Sequence, residues 1–227
     1  MIVAIDGPAG SGKSTVARMV ARRLKFRYIE TGSMYRAVAW KANQLGLDPK
    51  NREETAKVAA NLNIEFQPAE DGSQRVFVEG KELTRDLKNE TVGRMAAVVA
   101  ANPEVREILV SKQREMGKKH DVVMDGRDIG TVVFPDAQKK FYLDADPVER
   151  ARRRYDEMKA ANANLDFDQI VEQVRQRDHE DKTRAASPLK AADDAVWIDT
   201  TSLSIDDVVE KMVRVIESTP EEMKSKS

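Results

Sequence analysis

Cysteine is absent from the 227 residues, which removes disulfides, thiolate metal centres and a cysteine nucleophile from consideration and fits a reducing compartment. No run of 18 consecutive apolar residues occurs, and Met1 opens directly on an apolar strand pattern without a basic leader. Neither a membrane span nor a signal peptide is expected, and the expected location is cytoplasmic. An excess of one charge is missing too. Lysine and arginine number 38 against 39 aspartates and glutamates, a formal net charge of −1, so no overall field draws the chain to nucleic acid or to a membrane surface. Any anion must be recognised locally. Internal repeats and low-complexity tracts are absent as well, and the length suits one catalytic domain with at most a small appended unit.

What is present is a recurring unit. "MIVAID" is a short β-branched run ending in a carboxylate, and "KSTVARMVARRLK" then places Val16, Met19, Val20 and Leu24 at helical spacing. "DVVMDG" (121–126), "KFYLDA" (140–145) and "AVWIDT" (195–200) repeat the buried strand with its terminal acid. Strands separated by helices predict a doubly wound α/β fold around a parallel sheet, with ligands beyond the carboxyl ends of the strands. One segment breaks the rhythm: Ile64/Phe66 and Val76/Val78 alternate with polar residues around "EDGS" and "EGKE", the pattern of an antiparallel hairpin. The expected organisation is a core of 1–60 and 101–220, an insertion of 61–100 with a helix near 87–100, and a flexible tail of 221–227.

Gly7-Pro8-Ala9-Gly10-Ser11-Gly12-Lys13-Ser14 matches G-x-x-x-x-G-K-[ST] between a strand and a helix start. Small residues let successive backbone N–H groups converge on phosphate oxygens, and the helix N-terminus adds positive potential. Lys13 supplies a charge to the β- and γ-phosphates, Ser14 offers a hydroxyl to Mg²⁺, and Thr15 follows in the same turn. Asp125, ending a strand, is the carboxylate expected to orient the Mg²⁺ or its waters.

The loop alone does not say who receives the phosphate, but the arginines do. "TGSMYR" and "DGRD" each follow a strand and bring Arg36 and Arg127 to the ligand edge; "RQRDHEDKTR" sets Arg177, Asp181 and Arg184 on one helix face at i, i+4 and i+7. Guanidinium forks bind phosphate bidentately. Two like charges about 4 Å apart repel by roughly 1 kcal/mol in water and about 4 kcal/mol at an effective dielectric of 20, so a phosphorylated acceptor facing a triphosphate needs such neutralisation. "DPVERARRRYDEMK" carries Arg150, Arg152, Arg153 and Arg154 on a helix capped by Asp146 and opened by Pro147. It reads as a lid within 147–185 whose Arg150, Arg153 and Arg154 close over the triphosphate and exclude water. Alternatives are a P-loop kinase for another small acceptor, or a nucleic-acid-associated ATPase contacting a phosphate backbone through 150–154.

The combination resembles the bacterial cytidylate kinase family along nearly the whole chain: "IDGPAGSGKST", "TGSMYRA", "NPEVRE", "DGRDIGTVVFPDA" and "RDHEDKTRAASPL" carry the likeness. The resemblance implies a P-loop nucleoside monophosphate kinase fold whose inserted unit binds the monophosphate, and ATP and CMP or dCMP as substrates with Mg²⁺. It implies that Arg36, Arg127 and Arg184 hold the acceptor phosphate, that Arg106 and Asp128 read cytosine, that Arg177 and Asp181 meet the pentose, and that Thr31 and Tyr35 line the same site. A monomer without nucleic-acid or membrane partners is expected. Ala97 departs from the pattern, standing where a serine contacts the base.

Overall fold

The computed structural model describes residues 1–69, 73–159 and 165–218. Five strands form one parallel sheet: β1 (Ile2–Asp6), β2 (Arg27–Glu30), β6 (Val122–Gly126), β7 (Lys139–Asp144) and β8 (Val196–Asp199), in the order β2-β6-β1-β7-β8. Continuous β-branched runs suit strands covered on both faces. Val3, Ala4 and Ile5 of β1 and Val122, Val123 and Met124 of β6 are all fully buried. On one face α1 (Lys13–Leu24) and the C-terminal α8 (Ile205–Glu217) deliver Val16, Val20, Val208, Met212 and Ile216 against Val3, Ile5, Phe141 and Leu143. On the other, Val110 of α5 (Pro103–Lys118) packs with Ile29, Met124, Ile129 and Val133.

Between β2 and α5 the chain departs from the parallel rhythm. It runs through α2 (Thr31–Gln44) and α3 (Arg52–Asn61), then a three-stranded antiparallel sheet of β3 (Ile64–Pro68), β4 (Gln74–Val78) and β5 (Lys81–Glu82), then α4 (Glu90–Ala100). The third strand arises because Glu79 and Gly80 both take positive φ, 51° and 79°, which suits a two-residue hairpin turn. Asn89 caps α4 by accepting from Thr91 N at 2.8 Å, so the helix starts at Glu90, preceded by a 3₁₀ turn at Asp86–Lys88. Ile64, Val76, Val78, Leu83 and Leu87 share one apolar cluster with Met34 and Val38 of α2 and Leu109 of α5. The apolar side of the antiparallel unit is therefore buried against α2 and α5.

The last helices before β8 are α6 (Pro147–Lys159) and α7 (Phe167–Thr183). Asp146 caps α6 by accepting from Val148 N at 2.8 Å and Glu149 N at 3.3 Å. The expected tail, 221–227, lies outside the described residues.

Candidate active site

Strand order and register bring the chemistry to one edge. Glu30 of β2 lies beside Asp125 of β6, and Asp6 of β1 beside Gly126. Three strand ends thus deliver α2, the 127–128 segment and the glycine loop to the same crevice. Thr31 ties two of them by donating its hydroxyl to Asp125 O at 2.8 Å.

In the glycine loop, Gly7 has φ 151° and a Cβ there would stand 2.0 Å from Leu143 O; Gly10, at φ 77°, passes 3.2 Å from Arg150 Cβ by the same measure. Only glycine fits such approaches. The Ser11 hydroxyl folds into the loop, donating to Pro8 O at 3.1 Å. Lys13 Nζ donates to the same carbonyl at 2.7 Å, so Pro8, Ala9 and Gly12 frame a loop pre-curled around its lysine. Thr15 follows on the first turn of α1. Burial and the Arg127 charge push the Lys13 ammonium down to about 7.

Ser14 Oγ donates to Asp125 Oδ2 at 2.8 Å while Tyr28 Oη donates to Asp125 Oδ1 at 2.8 Å. Burial and Glu30 raise the Asp125 carboxyl. A hydroxyl beside a carboxylate is a hard oxygen pair, the donor set that suits Mg²⁺ sharing its shell with phosphates and water. Among the described residues no group of three or more His, Cys, Asp or Glu could hold a metal by itself.

Facing the loop is a crowd of cations. Arg127 Nε donates to Asp181 Oδ2 at 2.7 Å, and Arg184 Nη1 lies 3.6 Å from Asp181 Oδ1. Burial and Arg127 pull Arg177 down to about 10, and burial and Arg106 lower Arg184. Burial alone would raise Asp181, but Arg127 overrides it and holds that carboxyl below the usual range. Arg36 reaches back to Glu30 at 3.2 Å. Cations that depress one another gain from an anion placed among them. Arg184 stands just past α7, in extended backbone with its Nε donating to Ser187 O at 2.6 Å. This corrects the expected helical i+7 position: the helix ends at Thr183, and the turn carries Arg184 to the site.

Beside this crowd, Arg106 of α5 and Asp128 form an ion pair whose side chains are 4% and 6% exposed. The Arg106 guanidinium stands 5.3 Å from the Tyr35 ring centroid, and burial pushes the Tyr35 hydroxyl up to about 12, a neutral donor. Tyr35 Oη, Arg106 Nε and Arg184 Nη2 are buried without a hydrogen-bond partner, although buried donors nearly always find one. Ala97 lies exposed on α4 and brings no hydroxyl.

The three arginines expected to close as a lid part company. Arg150 is 2% exposed and grips Asp178 through Nη1 at 2.9 Å and through Nη2, while Nε donates to Ala145 O at 2.9 Å and Nη1 to Ala9 O at 3.0 Å. Arg153 donates to Thr200 O at 2.7 Å and sits 3.5 Å from Gly10 O. Arg154 Nε is buried without a partner. Here Arg150 is the internal brace between α6, α7 and the glycine loop.

Three residues with contacts at the site were given no role by the sequence alone. Asp178 is one position from Arg177 on α7 and pairs with α6 instead. Tyr28 gave no signal. Asp6 was visible as the acid ending the first strand; it accepts from Ile129 N at 2.8 Å and Gly130 N at 2.7 Å, fixing the π-helical turn Ile129–Val133 that follows Asp128.

A glycine loop at the end of a central parallel strand, opposed by clustered arginines and the buried Arg106–Asp128 pair, defines a P-loop kinase. The cytidylate kinase family model matches residues 3–218, and the chain belongs to that family. It is 44% identical to the cytidylate kinase of Pediococcus pentosaceus, over 95% of each chain. It is 46% identical to that of Pseudomonas aeruginosa, over 94% of this chain and 93% of the other. Among solved structures, an uncharacterized protein from Eubacterium ventriosum aligns with TM-score 0.54 at 12% identity, covering 96% of this chain and 99% of that one, a likeness of fold alone.

Proposed function

We propose that the chain transfers the γ-phosphoryl group of ATP to CMP or dCMP, giving ADP and CDP or dCDP. The observation that carries the choice of acceptor is the buried Arg106–Asp128 pair under Tyr35, with Arg106 Nε and Tyr35 Oη unpartnered, next to the clustered cations Arg127, Arg177 and Arg184. Cytosine presents an exocyclic amine, a ring nitrogen that only accepts and a carbonyl. Asp128 Oδ2 is engaged by Arg106, leaving Oδ1 to accept from the amine, while the guanidinium faces the ring nitrogen and carbonyl. Uracil offers the wrong pattern to both, and buried groups left unpaired discriminate strongly.

Arg36, Arg127 and Arg184 neutralise the acceptor phosphate, Arg177 and Asp181 hold the pentose, and Thr31 fixes the strand end beneath them. The loop 7–15 cradles the ATP phosphates with Lys13 at the β/γ side, and Arg153 and Arg154 close from α6 as a lid spanning about 147–185. The insertion of 61–100 backs the monophosphate site, and the remaining core, 1–60 and 101–220, carries the loop. Ser14 and Asp125 would hold Mg²⁺, directly or through its waters, and the bound ion would supply neutralisation of phosphate charge. The acceptor phosphate is already ionised, so positioning and charge neutralisation carry the rate and Asp128 serves recognition. The enzyme is read as a cytoplasmic monomer; among the described residues no helix is long and apolar enough to cross a membrane. The test is Asp128→Asn: the CMP-over-UMP ratio of kcat/KM falls by about tenfold or more, whereas an unchanged ratio contradicts the assignment.

A further inference from the structure

The parallel sheet ends on β2 and the antiparallel sheet on β3, and a cleft of about 840 Å³ separates these edges, with Phe26, Ile29, Phe66 and Met116 among its walls. At one end a side chain spans the gap. Gln74, the first residue of β4, accepts from Glu30 N at 3.1 Å through Oε1 and donates to Tyr28 O through Nε2. Its primary amide thus meets the outward N–H and C=O of β2 as the N–H and C=O of one residue on a further parallel strand would. Both partners have fixed polarity, a backbone donor and a backbone acceptor, so the amide has one orientation.

The two residues it grips are those whose side chains reach the two halves of the site. Tyr28 donates to Asp125, which Ser14 also holds. Glu30 accepts from Arg36 Nη1 at 3.2 Å and from Ser33 Oγ at 2.9 Å. Glu30 is also the residue before Thr31, where α2 departs from the sheet, and α2 shares its apolar cluster with the antiparallel unit. A slip of that unit against β2 therefore carries Arg36 away from the glycine loop.

We propose that Gln74 is a positioning residue for phosphoryl transfer: its amide closes the free edge of β2 and holds α2, Arg36 and the antiparallel unit in register with Asp125 and the glycine loop. This rests on the reading of Arg36 as a ligand of the acceptor phosphate. Small misplacements of reacting groups are costly to rate, and losing an amide that makes two hydrogen bonds is worth about tenfold.

The test compares Q74M, which keeps the length without the amide, and Q74E, which keeps the acceptor for Glu30 N–H but loses the donor for Tyr28 O. The acceptor is whichever nucleoside monophosphate the wild type turns over best in a panel of CMP, UMP, AMP and GMP, so an error over CMP shows in the wild-type panel while the latch is still tested. Q74M is expected to lower kcat/KM for the monophosphate about tenfold, leave KM for ATP unchanged, form more ADP per nucleoside diphosphate as water competes, and expose the Glu30 amide to faster hydrogen exchange. Q74E, whose second carboxylate oxygen faces Tyr28 O with no proton to donate, is impaired at least as much as Q74M. Wild-type kinetics in Q74M, or an unchanged Glu30 exchange rate, overturns the proposal. So does a parallel loss toward both substrates that follows the unfolding midpoint, since a merely structural contact gives that pattern.

Discussion

Replacing Arg150 with methionine isolates the brace between α6, α7 and the glycine loop. The guanidinium makes four hydrogen bonds, two to Asp178 and one each to Ala145 O and Ala9 O, and Asp178 is itself 9% exposed. Methionine fills most of the volume but leaves the Asp178 carboxylate without its cation. Breaking a buried pair by removing one partner costs about 3–5 kcal/mol. At about 2–4 °C per kcal/mol for a chain of this size, the unfolding midpoint drops by roughly 6–20 °C. Calorimetry of wild type, Arg150→Met and the double variant Arg150→Met/Asp178→Leu reads this directly. The double variant recovers part of the loss, because no charge is left stranded, yet KM for ATP stays raised because Ala9 has lost its anchor. An Arg150→Met midpoint within about 1 °C of wild type refutes the brace.

Other outcomes follow from the same geometry. Burial pushes Asp6 up to about 7 from 3.8, against the pull of the Gly130 and Ile129 amides. The native state then binds the extra proton between about pH 4 and 7, so this group's contribution to stability falls as pH rises through that window. The Asp6 carboxyl carbon, identified by its loss in Asp6→Asn, titrates near pH 7 by NMR; a midpoint near 4 contradicts this. Gly7→Ala forces a methyl into Leu143 O, 2.0 Å away, so the loop shifts and kcat/KM for ATP falls about a hundredfold, the cost of misplacing reacting groups by an ångström; wild-type ATP kinetics contradict so close an approach of loop to strand. Lys13→Met abolishes transfer while the far-ultraviolet circular dichroism stays native, and retained turnover removes Lys13 from the chemistry.

Local chemistry made much of this legible. The glycine loop is read from eight consecutive residues because a backbone cradle demands small residues and a lysine at that spacing, and the buried strands announce themselves by β-branched runs ending in an acid. The antiparallel alternation of Ile64/Phe66 with Val76/Val78 likewise appears as cross-strand pairs, with Phe66 opposite Val76. What stayed hidden depends on contacts far apart in the chain. The partner of Arg150 is 28 residues away, and that of Gln74 is 44 to 46 residues away; no spacing rule links them. Helix ends are set by caps, so the sequence periodicity ran Arg184 into α7 when the chain had already turned.

The central claim is most directly tested by following ADP formation from ATP and Mg²⁺ with CMP, dCMP, UMP, AMP and GMP offered separately, beside a control without acceptor. Turnover with CMP and dCMP far above the others is the predicted result, with Ala97 no obstacle. Equal ADP formation with and without every acceptor contradicts it, and makes the protein an ATPase whose clustered arginines serve another end.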